Sequence, residues 1–432
     1  MQTRFSPEQL EDAATARSEG AIRKCVHCGF CTATCPTYVL LGDEADSPRG
    51  RIYLIKEMLE NERDPTPQDV LHIDRCLSCL ACTTTCPSGV DYMHLIDHAR
   101  AYVEERYRRP FMDRTIRGVL AFVMPRRWAF RTALFGARLA RPLRVLLPKR
   151  LKAILELAPK TAARAPKTPK PAPPAEARLR VALLPGCVQP VLAPEINAAA
   201  ERLLTRLGAE IATRPGPRCC GSLTHHLGKD GPARAAARKA IDGWIAEMDG
   251  AGLDAIAITA SGCGVTIKDY PALFDDDPAY LGKARRVAAI AKDVSEVIDT
   301  LGLPEGAPPR PMAAAYHSAC SLQHGQKIPE LPAALLETAG FTLTPVAESH
   351  LCCGSAGTYN MLQPDIARRL GARKVANLER GRPDVIATGN IGCMTQIAKT
   401  ADAPVVHTVE LLDWATGGPV PPALAEAAET GE

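Results

Sequence analysis

Eight of the sixteen cysteines stand in two copies of one string. Cys25, Cys28, Cys31 and Cys35 are spaced C-x2-C-x2-C-x3-C ahead of Pro36, and Cys76, Cys79, Cys82 and Cys86 repeat the spacing ahead of Pro87. Three thiolates at three-residue steps wrap one [4Fe-4S] cube, and the fourth, before proline, reaches across to a second cube. The expected metal sets are Cys25, Cys28, Cys31 with Cys86, and Cys76, Cys79, Cys82 with Cys35. Two [4Fe-4S] clusters held this way would pass electrons one at a time. Zinc is usually bound by two separated C-x2-C pairs, and disulfides need an oxidising compartment, so both suit this spacing less well.

The other eight cysteines form a second duplicated pattern. Cys187, Cys219 and Cys220 recur 133 residues later as Cys320, Cys352 and Cys353, and Cys263 recurs 130 residues later as Cys393. Each copy has a Cys just after an expected strand, a Cys-Cys-Gly turn after a gap of 31 residues, and a last Cys at the end of another strand. In an α/β sheet the carboxyl ends of strands converge on one crevice, where four thiols from three loops could meet. Three chemistries stay open for these residues: a further iron–sulfur cluster, a redox dithiol, or buried structural cysteines. His225, His226, His317 and His324 lie near the turns and could ligate metal or move protons. No phosphate-binding glycine motif is present, so no nucleotide or flavin site is expected on this chain.

The elements that must position these residues divide the chain into five parts. Residues 1–109 carry the ferredoxin runs, whose 51-residue separation holds a helix opened by Ser47-Pro48, with Ile52, Ile55 and Leu59 at helical spacing. A second helix is expected over Tyr92–Tyr107. Residues 110–157 form a basic helical segment interrupted at Pro125, Pro142 and Pro148. Between 111 and 160, twelve Lys and Arg face only Asp113 and Glu156, a local charge of +10 in a chain of net charge +4. Residues 158–178, rich in Ala, Pro and Lys, read as an extended linker. Residues 179–300 and 311–420 alternate strands and helices as Cys-Cys-Gly domains 1 and 2. The fold class is multidomain: an α-helical ferredoxin domain followed by two repeated α/β Cys-Cys-Gly subdomains.

Residues 1–24 hold acids and bases throughout and no apolar segment of a secretory signal. No stretch approaches the roughly 20 apolar residues that span a bilayer. The expected location is a reducing cytoplasm. The basic segment, with apolar residues between its charges, suits contact with anionic lipid or a protein partner. Sparse aromatics (5% of residues) and the lack of a recognition motif argue against nucleic acid.

The strings CVHCGFCTATCPT from Cys25, GRIYLIK from Gly50, LCCGSAGTY from Leu351 and NIGC from Asn390 resemble the iron–sulfur subunits of bacterial glycolate oxidases. The architecture is also similar to the iron–sulfur subunits of lactate and anaerobic glycerol-3-phosphate dehydrogenases, and to heterodisulfide reductase. The resemblance covers nearly the whole chain. It implies an electron-transfer subunit of a glycolate dehydrogenase complex, with no catalytic residue of its own. FAD-binding partner subunits would oxidise glycolate to glyoxylate, and electrons would pass to a membrane acceptor, quinone, at the inner face of the cell membrane. The alternative it carries is a thiol/disulfide reductase of the heterodisulfide reductase type. There the Cys-Cys-Gly domain ends in C-x2-C, whereas Thr266 and Gln396 stand at the last position here. The fifth thiolate of that double cluster is therefore missing in both repeats.

Overall fold

The computed structural model describes residues 1–159, 171–212, 219–306, 308 and 311–430. The stretch 160–170, most of the expected linker's first half, lies outside the described residues.

The first hundred residues are helical. Helix α1 (Ala13–Lys24) begins where the Asp12 carboxylate accepts the Thr15 N–H. Helix α2 (Pro48–Glu60) opens at Ser47, whose hydroxyl accepts the Gly50 N–H, with Pro48 in the first turn. Helix α3 (Pro67–Asp74) opens on a Thr66/Asp69 capping box. Helix α4 (Tyr92–Arg106) completes the group. Their apolar faces meet at Ile22, Ile55, Met58, Ile73, Leu95, Ile96 and Val103, all fully buried. That shared core keeps the two cysteine runs at fixed positions although they are distant in sequence.

The basic stretch forms helices α5 (Phe111–Val123), α6 (Arg127–Ala140) and α7 (Lys149–Leu157), with a short 3-10 turn over Arg141–Leu146. Arg109 and Arg117 both pair with Asp74 of α3, tying α5 to the ferredoxin helices. Arg117 and Arg150 also pair with Asp113, so part of the local positive charge is spent internally.

The rest of the chain builds two four-stranded parallel sheets of identical order. Strands β1 (Leu179–Leu184), β2 (Ala209–Ile211), β3 (Ala255–Ile258) and β4 (Ala291–Asp293) are arranged β2-β1-β3-β4. Strands β5 (Ala313–His317), β6 (Thr342–Thr344), β7 (Val385–Thr388) and β8 (Val405–His407) are arranged β6-β5-β7-β8. The central strands β3 and β7 are buried along their whole length, as strands covered on both faces must be. Between the repeats, helix α8 (Pro194–Arg206) packs on the helix Thr408–Ala415, and one apolar core serves both sheets. Arg202 and Arg206 of α8 reach across to Asp413, whose side chain is almost wholly buried. Among the described residues no helix is long and apolar enough to cross a membrane.

Candidate functional site

Both ferredoxin runs turn through two left-handed residues. These are His27 (φ 56°) and Gly29 (φ 86°) in the first run, Ser78 (φ 47°) and Leu80 (φ 63°) in the second. Such a conformation costs a non-glycine residue on the order of 1 kcal/mol or more. It also turns successive backbone N–H groups toward one point, the concavity that suits an anionic cluster. Short helices follow, Phe30–Thr34 and Ala81–Thr85, each delivering its run's last cysteine, Cys35 or Cys86, at its end.

One cavity is bordered by Cys25, Cys28, Cys31 and Cys86, and Cys82 lines it as well. A second is bordered by Cys35, Cys76, Cys79 and Cys82. Each cavity thus gathers three cysteines of one run and the fourth of the other. All sixteen cysteines are free thiols. Burial pushes Cys31 up to about 11, and burial together with neighbouring thiols drives Cys79 and Cys82 well above the ordinary thiol range. Thiols so placed give up their protons to a metal rather than to water. Two groups of four soft donors, with no carboxylate among them, fit iron–sulfur clusters and not hard cations.

Arg51 was not singled out by sequence. It is fully buried and directs one guanidinium N–H toward Cys35 Sγ at 3.9 Å, while donating to the His72 carbonyl (2.7 Å) and pairing with buried Asp46 (3.3 Å). Tyr92 donates its hydroxyl toward Cys76 Sγ (3.8 Å). Both place positive hydrogen-bond character on sulfurs of the second cavity.

The two Cys-Cys-Gly turns share one geometry. Gly221 and Gly354 have φ of 87° and 85° and donate their N–H groups to Cys219 Sγ and Cys352 Sγ, each at 3.4 Å. A Cβ would lie 2.8 Å from the Ala233 carbonyl in one and 2.7 Å from that of Ala367 in the other. The following helices, α9 (Asp230–Asp249) and α10 (Pro364–Glu379), press against the turns at these points, so only glycine fits. In repeat one, a hydrogen bond from Cys187 lowers Cys219 to about 7, while Cys220 is raised by its hydrogen bond with Cys263 and by burial. In repeat two, Cys320 and Cys352 stand 4.0 Å apart and Cys353 and Cys393 3.2 Å apart. A ring nitrogen of His317 lies within 4.8 Å of the Cys353 and Cys393 sulfurs.

The other histidines near the turns face side chains of the ferredoxin module. His225 and His226 face Asp97 of α4, and His324 shares a hydrogen bond with Thr84 of the ferredoxin module (2.9 Å). Gln396, at the position of the missing fifth thiolate, accepts from Asn360 and donates to the Ala367 carbonyl. Its amide locks the turn of repeat two in place.

Helical cysteine cavities joined to paired parallel-sheet repeats, each carrying a Cys-Cys-Gly turn, define an iron–sulfur electron-transfer protein. Residues 24–90 match the family described as 4Fe-4S dicluster domain, and residues 181–268 and 314–398 that described as cysteine-rich domain. Over 415 residues the chain is 43% identical to the glycolate oxidase iron-sulfur subunit of Escherichia coli (strain K12), covering 96% of this chain and 99% of that one. The probable glycolate oxidase iron-sulfur subunit of Bacillus subtilis (strain 168) is 29% identical over 449 residues, with coverage of 96% and 99%. Lactate utilization protein A of Bacillus licheniformis is 26% identical over 242 residues, 54% of this chain and 99% of that protein. The chain belongs to the family of glycolate oxidase iron–sulfur subunits, components of an oxidoreductase complex.

Proposed function

We propose that this chain carries electrons from FAD-binding partner subunits, which oxidise glycolate to glyoxylate, to a quinone in the membrane. The observation that carries the proposal is the pair of cavities, each bordered by three cysteines of one run and the fourth of the other. Cys25, Cys28, Cys31 and Cys86 would hold one [4Fe-4S] cube; Cys76, Cys79, Cys82 and Cys35 the other. Each cube, when bound, exchanges one electron, which suits a donor that yields electrons in pairs.

The chain's own residues set the conditions of transfer. The first cavity opens at the surface, with Cys28 exposed and Val26 and Phe30 standing out at 69% and 62% exposure. These apolar side chains suit a partner that must approach closely. The second cavity is buried, and Arg51 and Tyr92 present N–H and O–H groups to its sulfurs. A buried cation and donors of this kind favour the more negative, reduced state of a cluster.

Localisation at the membrane rests on helices α5 and α6. Phe122, Trp128, Phe135 and Leu139 are exposed there among Arg114, Arg126 and Arg131. The arrangement suits an anionic lipid surface.

The deciding experiment mixes the anaerobic chain with its flavoprotein partners and glycolate and follows bleaching of the cluster absorbance. Bleaching that requires the partners is the expected result. Glycolate turnover by the isolated chain would overturn the proposal.

A further inference from the structure

The two cysteine-rich repeats have the same fold and four equivalent cysteines, yet their interiors differ in kind. At the end of β5 stands His317, 2% exposed, whose Nε2 is buried without a hydrogen-bond partner. Its ladder partner on β7 is Thr388, fully buried, with Oγ1 also unpartnered. The matching pair in repeat one is Leu184 and Ile258, both apolar and buried. Helix α10 buries Lys374 at 1% exposure. The equivalent residue of α9, aligned through the glycine contacts at Ala233 and Ala367, is Ala240.

Lys374 donates to the backbone carbonyls of Glu348 (2.8 Å) and Ser349 (3.3 Å), which carry no net charge. The acidic groups that act on it are the thiols of Cys353, Cys352, Cys393 and Cys320. A buried ammonium without a counter-charge is strongly unfavourable, and an unpartnered buried imidazole forfeits its hydrogen bond. Both are resolved at once if the four sulfurs are metal-bound thiolates and the imidazole completes the ligand set. Soft sulfur and imidazole donors select iron, zinc or copper over hard cations. Iron is favoured by position: Cys352 and Cys320 share one apolar cluster with Cys79 of the second ferredoxin cavity.

We infer that the second repeat, and not the first, holds a further iron centre ligated by Cys320, Cys352, Cys353, Cys393 and the His317 imidazole, with Lys374 as its buried counter-charge. The inference extends the proposed function and depends on it only for counting iron, since two cubes account for about eight atoms per chain.

The test uses the full chain purified anaerobically, with iron and zinc measured per chain and the ferredoxin-type EPR signals quantified separately. Three substitutions are compared: His317→Leu, which installs the residue repeat one folds with, Cys353→Ser, and Cys220→Ser in repeat one. Expected are iron clearly above eight in the parent chain, a fall to about eight in His317→Leu and Cys353→Ser with the ferredoxin signals unchanged, and no fall in Cys220→Ser. His317→Cys, which offers a thiolate instead, should retain the iron with an altered spectrum, separating ligand loss from misfolding. In chain labelled with 15N-histidine, pulsed EPR should show nitrogen coupling that His317→Leu removes. Parent iron at about eight, zinc in place of the extra iron, or extra iron indifferent to His317 would each overturn the inference. Missing ferredoxin signals in the parent would instead count against the cube assignment, with the His317-dependent iron still measurable.

Discussion

Arg51 shows how much one side chain of the ferredoxin module is asked to do. It sits at 1% exposure between Asp46, the Thr37 hydroxyl (3.1 Å), the His72 carbonyl and Cys35 Sγ. Asp46, fully buried, is also held by His72 (2.9 Å) and Arg75 (2.7 Å). Removing the guanidinium leaves that carboxylate short of a partner, and breaking a buried ion pair costs about 3–5 kcal/mol. Arg51→Met should therefore lower the unfolding free energy by that order. It should also make the more buried of the two cubes harder to reduce, because a positive group next to a ligand sulfur is gone. Arg51→Lys keeps the charge but not the fork, so it should recover part of the potential and little of the stability. Redox titration followed by EPR separates the two effects. An unchanged potential in Arg51→Met would confine Arg51 to a structural role. Gly50 beside it is fixed by the same packing, since a Cβ there would run into the Glu44 carbonyl.

At the scale of elements, helix α4 is the strut between the ferredoxin module and repeat one. His94 hydrogen-bonds Asp91 (2.6 Å) and, across the boundary, Asp269 (3.0 Å). Burial alone would lower its pKa, but the hydrogen bonds to Asp269 and Asp91 outweigh it and raise it to about 10. His225 of repeat one is likewise raised to about 10, burial being overcome by Asp97 of α4 and by Asp230. A raised histidine contributes stability that is complete below its ordinary value of 6.5 and is lost as pH climbs through 10. Docking of α4 should thus weaken between those limits, seen as lower amide protection factors in α4, after correction for base-catalysed intrinsic exchange, at pH 10 than at pH 6. His94→Gln should cost about 2 kcal/mol at neutral pH and flatten that dependence. Exchange that is equally protected at both pH values would remove the two histidines as docking groups. Much of this architecture was legible beforehand. The central strands β1, β3, β5 and β7, four to six residues of mostly Val, Ile, Leu and Ala, stood out from their neighbours. The edge strands β2, β4, β6 and β8 did not, because three residues are too few for a period to register. They form because the neighbouring parallel strand offers its backbone groups. The cysteines announced themselves by spacing, whereas Arg51 and Lys374 did not: a cation on a helix reads as solvent-facing, and only tertiary packing buries it.

Across the whole molecule the candidate centres run from surface to interior. The first ferredoxin cavity opens beside exposed Val26 and Phe30, the second is lined mostly by buried residues, and the Cys320 and Cys352 thiols lie in the same apolar cluster as Cys79. The basic helices sit elsewhere: Ile116 and Leu120 of α5 pack on Leu227, Met361 and Leu362 beside the cysteine-rich turns. Their outer side combines Trp128 at 65% exposure, edge-on to Phe122 (6.1 Å), with Arg126 stacked 4.2 Å over the Phe122 ring. An aromatic pair with a cation at its rim is suited to the boundary between headgroups and acyl chains. Such a surface needs both attractions. Vesicles carrying anionic lipid should bind the chain, neutral vesicles should bind it poorly, and added salt should release it. Each basic residue near an anionic surface contributes about 1 kcal/mol, so reversing three exposed ones, Arg114→Glu, Arg126→Glu and Arg131→Glu, should weaken binding roughly 100-fold or more. Arg117 and Arg150 would be poor choices, because Arg117 ties α5 to Asp74 of α3 and Arg150 ties α7 to Asp113 of α5. Trp128→Ala should weaken binding while leaving its salt dependence intact. Co-sedimentation that ignores salt, lipid charge and all four substitutions would mean that these helices serve a protein partner instead.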